Sequence, residues 1–337
     1  MARAGRSRQT GGTVTALDVN QAHKATINET LIESTGLSKH YGKTVALDGV
    51  TVTLPNAAIG LLGPNGAGKS TFLKLMLGLS YPTSGDLHVF GRNVTHDPLE
   101  VRRRIGYMPE SDCLAMDTTA FDFVRHMAEV SGLPTTDARL RAADMLYLCG
   151  LDEERYRMIR EFSTGMKQRV KLAQALVHDP DLVFLDEPTN GLDPSGHDEM
   201  LNLIRRINDE LGIAVVLSSH VLEDIERVCD YVMMIDSGRL IGSGYLKDLM
   251  DSKQEITLEI DGDAPAFIRS LESRNFVVES KDELLQIAYS DDDVFDAIRD
   301  AAVDSGAAIR SLAARRTSLE EFYIGVVESS QADRTSG

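Results

Sequence analysis

The stretch over residues 58–71 constrains the fold of this 337-residue chain more than any other. An apolar run from Ala58 to Leu62 has the length and composition of a buried strand. A segment rich in Gly, Pro and Asn interrupts it, and a helical pattern begins near Thr71. The form Gly-x-x-x-x-Gly-Lys-Ser between a strand and a helix is typical of a loop that wraps a phosphate group. The sequence therefore predicts a nucleotide-binding α/β domain.

Each residue type in this loop has a chemical reason to be there. Glycines let backbone N–H groups curl around an oxyanion, and the helix start adds the positive end of a dipole. Lys69 can reach the β- and γ-phosphates, and the Ser70 hydroxyl suits Mg²⁺. An ordinary glycine turn is the alternative, but the flanking strand and helix favour the phosphate loop. The predicted nucleotide-binding residues here are Gly63, Pro64, Asn65, Gly66, Ala67, Gly68, Lys69, Ser70 and Thr71.

Charge and hydropathy exclude several classes of protein. No stretch approaches the roughly 20 uninterrupted apolar residues that a membrane-spanning helix needs. The net charge is −17, and residues 251–337 alone hold 19 acidic and 9 basic side chains, a net of −10. We therefore expect no nucleic-acid partner, because an acidic surface repels phosphates. The three cysteines lack metal-ligand spacing and are expected to be buried or free thiols in a reducing cytosol.

Strands alternate with helices from residue 31 to about 250, which predicts a doubly wound, mainly parallel sheet. Within it, residues 31–54 alternate between apolar and polar and predict two strands around a turn. Residues 108–160 are mostly helical in pattern.

The two ends of the chain differ from this central region. Residues 1–30 are polar, without an apolar signal core, and are expected to form a disordered extension. The accessory region 251–327 shows the pattern β-α-β-β-α-β, with its first helix over 264–272 and its second strand over 275–280, which predicts a small α+β, ferredoxin-like module. A further helix is predicted over 318–327. Residues 328–337 are expected to be disordered.

Acidic side chains follow a buried strand over 182–185. Asp186 and Glu187 come at its carboxyl end, where open α/β sheets bind ligands. An Asp at this point can hold Mg²⁺, and a neighbouring Glu can orient and deprotonate an attacking water. The next apolar strand ends at His220, which should face the same sheet edge and could contact a γ-phosphate.

Three further residues acquire meaning only in this context. Ser163 and Gly165 begin an amphipathic helix, where free N–H groups can face an anion, although a routine N-cap is the simpler interpretation. Tyr41 stands in a turn, where it either packs locally or stacks on a purine base.

Taken in order, the motifs from about residue 31 to 250 resemble those of the ATP-binding subunit of an ABC transporter. Tyr41 matches the adenine-stacking aromatic residue of that family, and the loop 63–70 matches the Walker A motif. The sequence 162–166 resembles the signature motif, which separates this family from other phosphate-loop ATPases.

The second half of the motif set follows in the family's order. Residues 182–187 match the Walker B motif, residues 191–193 the D-loop, and His220 the switch histidine. The resemblance implies a phosphate-loop ATPase with a mainly parallel core sheet, an antiparallel β subdomain and a helical subdomain over 108–160.

Two departures from the family pattern are informative. The signature reads Phe-Ser-Thr-Gly-Met instead of the usual Leu-Ser-Gly-Gly-Gln, and Glu110 replaces the Gln of the Q-loop. A carboxylate at this position can approach Mg²⁺ or the water, but it adds negative charge near the γ-phosphate. Both departures resemble the subgroup that serves exporters with separately encoded permeases.

The resemblance implies ATP and Mg²⁺ as ligands. It assigns Glu187 as general base, His220 as γ-phosphate sensor and Lys69 as a phosphate ligand, with Mg²⁺ held by Ser70 and Asp186 and approached by Glu110. It implies a second ATP-binding subunit, expected to be a second copy, and an integral membrane permease that holds the chain at the cytoplasmic face of the cell membrane. Ser163 and Gly165 would contact the nucleotide held by the other subunit.

Two other functions are alternatives to that of a motor subunit of an exporter. One is a soluble ABC-type ATPase that acts on a protein or ribonucleoprotein complex, which the single phosphate loop and the acidic charge disfavour. The other is a catalytically silent nucleotide sensor, which the joint presence of Lys69, Asp186, Glu187 and His220 disfavours.

Overall fold

The computed structural model describes residues 30–111, 113–251, 254–281, 284–289, 293–316 and 318–335. The predicted disordered extension lies outside these residues, apart from Thr30, where the first strand begins. The strands are β1 (Thr30–Tyr41), β2 (Thr44–Pro55), β3 (Ala58–Leu62), β4 (Ser84–Val89), β5 (Arg92–Asn93), β6 (Ile105–Met108), β7 (Leu182–Asp186), β8 (Ala214–Ser218), β9 (Tyr231–Asp236), β10 (Arg239–Tyr245), β11 (Gln254–Asp261), β12 (Val278–Lys281), β13 (Leu284–Tyr289) and β14 (Ala308–Arg316).

Helices connect and cover these strands. They are α1 (Lys69–Met76), α2 (Pro98–Arg103), α3 (Ala120–Val130), α4 (Thr135–Leu148), α5 (Thr164–Leu176), α6 (Pro194–Leu211), α7 (Leu222–Val228), α8 (Leu246–Asp251), α9 (Ala264–Glu272), α10 (Asp293–Ser305) and α11 (Leu319–Thr335), with short 3₁₀ turns at Glu154–Tyr156 and Ile159–Glu161. In the ranges described above, no helix combines the length and the apolar character needed to cross a lipid bilayer.

The central sheet has the strand order β10-β9-β3-β8-β7-β6. Its neighbouring strands are parallel, except that β10 runs antiparallel to β9. Alternate residues of β3 face two different cores: Ala58 and Leu62 lie in one, Ile59 and Leu61 in the other. Both faces of the sheet are thus covered, as an all-apolar strand requires. The mainly parallel core expected from the sequence is confirmed.

An antiparallel sheet with the order β2-β1-β4-β5 covers one side of this core. Apolar residues of β1, such as Ile32, share a core with Phe72 of α1 and Phe184 of β7. The two strands predicted over 31–54 are present and joined by a two-residue turn.

Helices α3 and α4 pack on the opposite side against α5. Val124 of α3, Leu146 of α4 and Leu172 of α5 belong to one buried cluster. The Thr119 side chain accepts a hydrogen bond from the Asp122 N–H at 3.0 Å and so caps α3.

The region after α8 forms a third sheet, with the order β12-β13-β11-β14 and antiparallel neighbours throughout. Helices α9 and α10 lie against it, and Ile256, Phe267 and Ile298 belong to its core, which is separate from those of the central sheet. The order of elements, β-α-β-β-α-β, is the one that the sequence predicted.

Two boundaries in this region differ from the expectation. The strand predicted from residue 275 begins at Val278, because Asn275 has a φ of 67° and still belongs to the exit from α9. Disorder was predicted for 328–337, but α11 continues to Thr335. The residues after 327 are mostly polar, so they show no hydrophobic periodicity from which a helix could be predicted. The helix nevertheless continues through its backbone hydrogen bonds.

Candidate active site

The strand order brings four segments to one edge of the central sheet. Strands β3, β8, β7 and β6 are neighbours, and their carboxyl ends lead into the phosphate loop, His220, Glu187 and Glu110, in that order. Open α/β sheets bind ligands at this edge. Residues that the sequence predicted from separate motifs are therefore collected on one side of the molecule.

Two glycines fix the path of the phosphate loop, residues 63–70. Gly63 has a φ of 153°, and a Cβ atom there would lie 2.1 Å from the main-chain oxygen of Ile235. Gly68 has a φ of 112°, and its Cβ atom would lie 2.6 Å from the oxygen of Ala46. A side chain at either position would displace the loop, so the close-packed path depends on glycine.

Lys69 lies in this loop and is also the first residue of α1. Its Nζ donates to the main-chain oxygens of Gly63 and Pro64, the latter at 3.2 Å. Burial lowers the pKa of Lys69, and the carboxylates of Glu187 and Asp186 oppose that shift. The lysine therefore folds back over the loop within electrostatic range of the β7 end. The other predicted residues are Asn65, Gly66 and Ala67 in the loop and Ser70 and Thr71 in α1.

Two partly buried carboxylates lie at the end of β7. Asp186 is the last residue of the strand, and burial raises the pKa of Asp186, whereas a hydrogen bond with Ser218 lowers it. Glu187 has a positive φ of 51°, and its N–H donates to the main-chain oxygen of Ser218 at 3.0 Å. Burial also raises the pKa of Glu187. A raised pKa makes a carboxylate a stronger base.

His220 follows β8 and contacts Glu187 directly. Its Nδ1 lies 2.8 Å from the Glu187 Oε2 atom. The imidazole is 68% exposed, whereas the Glu187 side chain is 14% exposed. Burial raises the pKa of Glu187, and the contact with His220 counteracts this effect. His220 can therefore orient Glu187 as a base while its own imidazole remains accessible to solvent.

Glu110 lies at the same edge, two residues after β6. Its Oε1 is 3.5 Å from the Nδ2 donor of Asn190. Burial is the main cause of the raised pKa of Asp186, and the negative charge of the Glu110 carboxylate raises it further. Glu110 therefore lies within electrostatic range of Asp186.

The start of α5 forms a different surface. The Ser163 Oγ accepts from the Met166 N–H at 3.3 Å and caps the helix, while the Ser163 residue itself is exposed. Gln168 Nε2 donates to the Asn190 oxygen at 3.1 Å, and a Cβ atom on Gly165 would lie 3.6 Å from Leu192. These contacts join the helix start to the loop over 189–193.

Tyr41 is the last residue of β1, and its side chain is exposed. The Lys39 Nζ lies 5.0 Å from the centre of its ring. An exposed ring leaves a face available to a flat ligand.

The sequence analysis missed the buried charged residues, two of which contact the segments at the site. Asp224 of α7 is 1% exposed and accepts hydrogen bonds from Thr189 at 2.9 Å and Ser219 at 3.3 Å. Lys171 of α5 is 2% exposed. A signal existed for Lys171, which lies inside the apolar stretch of its helix; for Asp224 the pattern gave none.

Comparison with known proteins agrees with this geometry. The family model described as ABC transporter matches residues 47–190. The bacitracin transport ATP-binding protein BcrA of Bacillus licheniformis is 39% identical over 213 residues, 63% of this chain and 69% of that protein. The daunorubicin/doxorubicin resistance ATP-binding protein DrrA of Streptomyces peucetius is 37% identical over 222 residues, 66% of this chain and 67% of that protein. A solved ATP-binding subunit of an ABC transporter, 32% identical, has a TM-score of 0.58 and covers 65% of this chain and 92% of that one.

The phosphate loop after β3 and the carboxylates after β7 define a phosphate-loop ATPase. The chain belongs to the ABC transporter family, as one of its ATP-binding subunits. The resemblance found in the motifs is confirmed.

Proposed function

We propose that this chain hydrolyses ATP within a head-to-tail homodimer and thereby energises export through a separate integral membrane permease. The observation that carries the proposal is the 2.8 Å contact between His220 and Glu187 at the sheet edge that also holds the phosphate loop. A partly buried carboxylate can accept a proton from water, and the exposed imidazole can contact a γ-phosphate at the same time.

Each side chain then has a defined role in the reaction. Tyr41 stacks on the adenine, and the loop N–H groups with Lys69 hold the phosphates. Glu187 accepts the proton of the attacking water at its carboxylate. His220 orients that carboxylate and contacts the γ-phosphate, so the base is in place only when the nucleotide is.

The donor set beside the phosphate loop fits Mg²⁺. The Asp186 carboxylate and the Ser70 hydroxyl are hard oxygen donors, and the Glu110 carboxylate can approach as a third. Burial raises the pKa of Asp186, and a neighbouring cation would offset that unfavourable dehydration of its charge. When bound, Mg²⁺ supplies charge neutralisation at the phosphates.

The surface formed by Ser163 and Gly165 suits the nucleotide of a second subunit. The two residues begin α5, whose free N–H groups and dipole favour a phosphate, and Ser163 is exposed. The hydrogen bond from Gln168 of the same helix to Asn190 would carry closure of the dimer to the loop that follows β7. Neither half-site would be complete alone, which couples nucleotide binding to movement.

Export and membrane location follow from the family rather than from the geometry. One relative is named for bacitracin transport and another for daunorubicin/doxorubicin resistance, and a transporter confers resistance by removing the compound. We infer that a permease holds this subunit at the cytoplasmic face of the cell membrane and selects the cargo.

We also infer how the chain divides. Residues 31–250 form the ATP-binding domain, with 108–160 as the helical subdomain that receives the permease. Residues 251–327 form an accessory domain with its own core.

The first test is Glu187→Gln. The amide keeps the shape of the side chain but cannot take up the proton, so we expect ATP binding and dimerisation with hydrolysis reduced by about 10²–10⁴-fold. ATP binding, size-exclusion chromatography and phosphate release measure these three properties. Near-normal turnover would contradict the assignment of Glu187 as base.

The same variant, tagged and purified from gently solubilised membranes with ATP, tests the partner. A multi-span membrane protein at near-equal stoichiometry is expected. The matched control is Glu187→Gln combined with Lys69→Ala, which should not close around ATP. Recovery of soluble partners alone, with the protein absent from membranes, would refute the transporter assignment.

A further inference from the structure

A lysine is buried behind the active site, in a helix whose neighbouring residues are apolar. Lys171 is 2% exposed, and the residues before and after it, Val170 and Leu172, are fully buried. Its Nζ donates to the main-chain oxygen of Glu110 at 2.9 Å. Helix α5 therefore contacts the segment that follows β6 through a charged side chain.

Burying an ammonium group is unfavourable unless opposite charge or hydrogen bonds compensate for the lost water. The compensation here includes the carbonyl dipole of Glu110 and the field of Asp186. The ammonium group lies within electrostatic range of the Asp186 carboxylate. Its charge is therefore placed in the protein interior, directly beside the segment that carries Glu110.

The position of Glu110 provides a reason for a buried cation at this point. The Glu110 carboxylate, which lies within electrostatic range of Asp186, adds negative charge where the phosphates of ATP must approach. A cation placed behind the same segment offsets this charge without occupying the space of the nucleotide. Its hydrogen bond to the Glu110 carbonyl also holds the backbone from which that carboxylate projects.

We propose that Lys171 is a positioning residue that fixes the Glu110 segment and balances its charge, so that an acidic residue can stand at the edge of the ATP site. This inference rests on the proposed function, because it concerns nucleotide binding at that site. It assigns a role in ATP binding to a residue that lies outside the predicted motifs.

The test is a set of three variants: Lys171→Met, Glu110→Gln and the combination of the two. Met retains the unbranched stem of lysine and suits a buried position. The dissociation constant of ATP is measured for each variant with EDTA and with Mg²⁺, and thermal melting verifies the fold. Lys247→Met, an exposed lysine of α8, is the control for the same change in net charge.

Without Mg²⁺, Lys171→Met should weaken ATP binding by about tenfold, because a nearby counter-charge has been removed from an anionic site. With Mg²⁺ the loss should be smaller, since the cation supplies part of the missing charge. Adding Glu110→Gln should restore most of the affinity. The Lys247→Met control should bind as the parent protein does.

Equal losses with and without Mg²⁺, or no rescue by Glu110→Gln, would show a packing role and overturn the proposal. If Lys171→Met does not fold, Glu110→Gln alone decides, since Glu110 is exposed. It should tighten Mg²⁺-free ATP binding severalfold, and unchanged affinity would also refute the charge-balance role. Failure of the ATPase assignment itself would appear separately, as undiminished ATP binding in Lys69→Ala.

Discussion

Among the predicted site residues that carry a side chain, Glu187 is the one with a positive φ. Its φ of 51° is unusual for a residue with a side chain, and such conformations cost roughly 1–3 kcal/mol. The N–H bond to Ser218 and the 2.8 Å contact with His220 hold it there. The turn directs the carboxylate away from the strand and toward the imidazole, which a regular continuation of β7 would not do.

This contact predicts a pH effect. Glu187 must be ionised to accept a proton, burial raises the pKa of Glu187, and His220 lowers it. Turnover should therefore fall as the pH drops through a pKa above that of an ordinary Glu. His220→Ala removes the lowering interaction, so the acidic limb of its residual activity should move to higher pH.

The measurement is the rate of phosphate release as a function of pH for the parent protein and His220→Ala. His126→Ala, which changes an exposed histidine of α3, is the control and should leave the acidic limb in place. An unchanged or lower acidic limb in His220→Ala would show that the imidazole does not set the basicity of Glu187.

At the scale of elements, hydrophobic periodicity and the residues at strand ends were enough to predict several helices, strands and site residues. Helix α9 has the predicted bounds, 264–272, and the sheet edge shared by Asp186 and His220 was expected. The apolar neighbours of Lys171 could indicate its burial, but its carbonyl partner could not be predicted, because that partner lies 61 residues away along the chain. The positive φ of Glu187 likewise depends on Ser218 of a neighbouring strand. Local patterns contain no information on such contacts between distant segments.

Helix α7 shows the same limit, because it carries a buried acid with partners in distant segments. Asp224 accepts hydrogen bonds from Thr189 of the loop after β7 and from Ser219 beside the switch histidine. The Nε2 of His197, in the first turns of α6, lies 3.0 Å from its Oδ1. One carboxylate therefore joins three segments that follow the central strands.

Asp224→Ala should lower the free energy of unfolding by about 1–3 kcal/mol, because two buried hydroxyl groups lose their acceptor. Urea denaturation measures the change. Glu223→Ala removes the adjacent, exposed acid of the same helix and should change stability by less than about 0.5 kcal/mol. Equal effects of the two substitutions would mean that the Asp224 network adds no stability.

At the scale of the whole molecule, α11 connects the C-terminal region to the ATPase core. Leu319 is fully buried in the cluster of the central sheet, and Phe322 and Val326 pack against that cluster. The Leu319 N–H donates to the Glu226 carboxylate of α7. Asp224, which contacts the loops near the active site, and Glu226, which binds the start of α11, therefore lie two residues apart in the same helix.

If the contact of α11 stabilises the ATPase core, shortening a side chain in that contact should lower the stability of the core. This holds although the contact lies outside every nucleotide-binding motif. Leu319→Ala deletes fully buried methyl groups, so we expect a loss of about 2–5 kcal/mol in the free energy of unfolding. Ile324→Ala, on the same helix but 47% exposed, should cost far less. Bound ATP stabilises the ATPase core, so the melting transition that ATP shifts is that of the core. Thermal melting with and without ATP should show that Leu319→Ala lowers the temperature of this transition. If only an ATP-insensitive transition moved, α11 would belong energetically to the small module alone, and α7 would not be a link between the two.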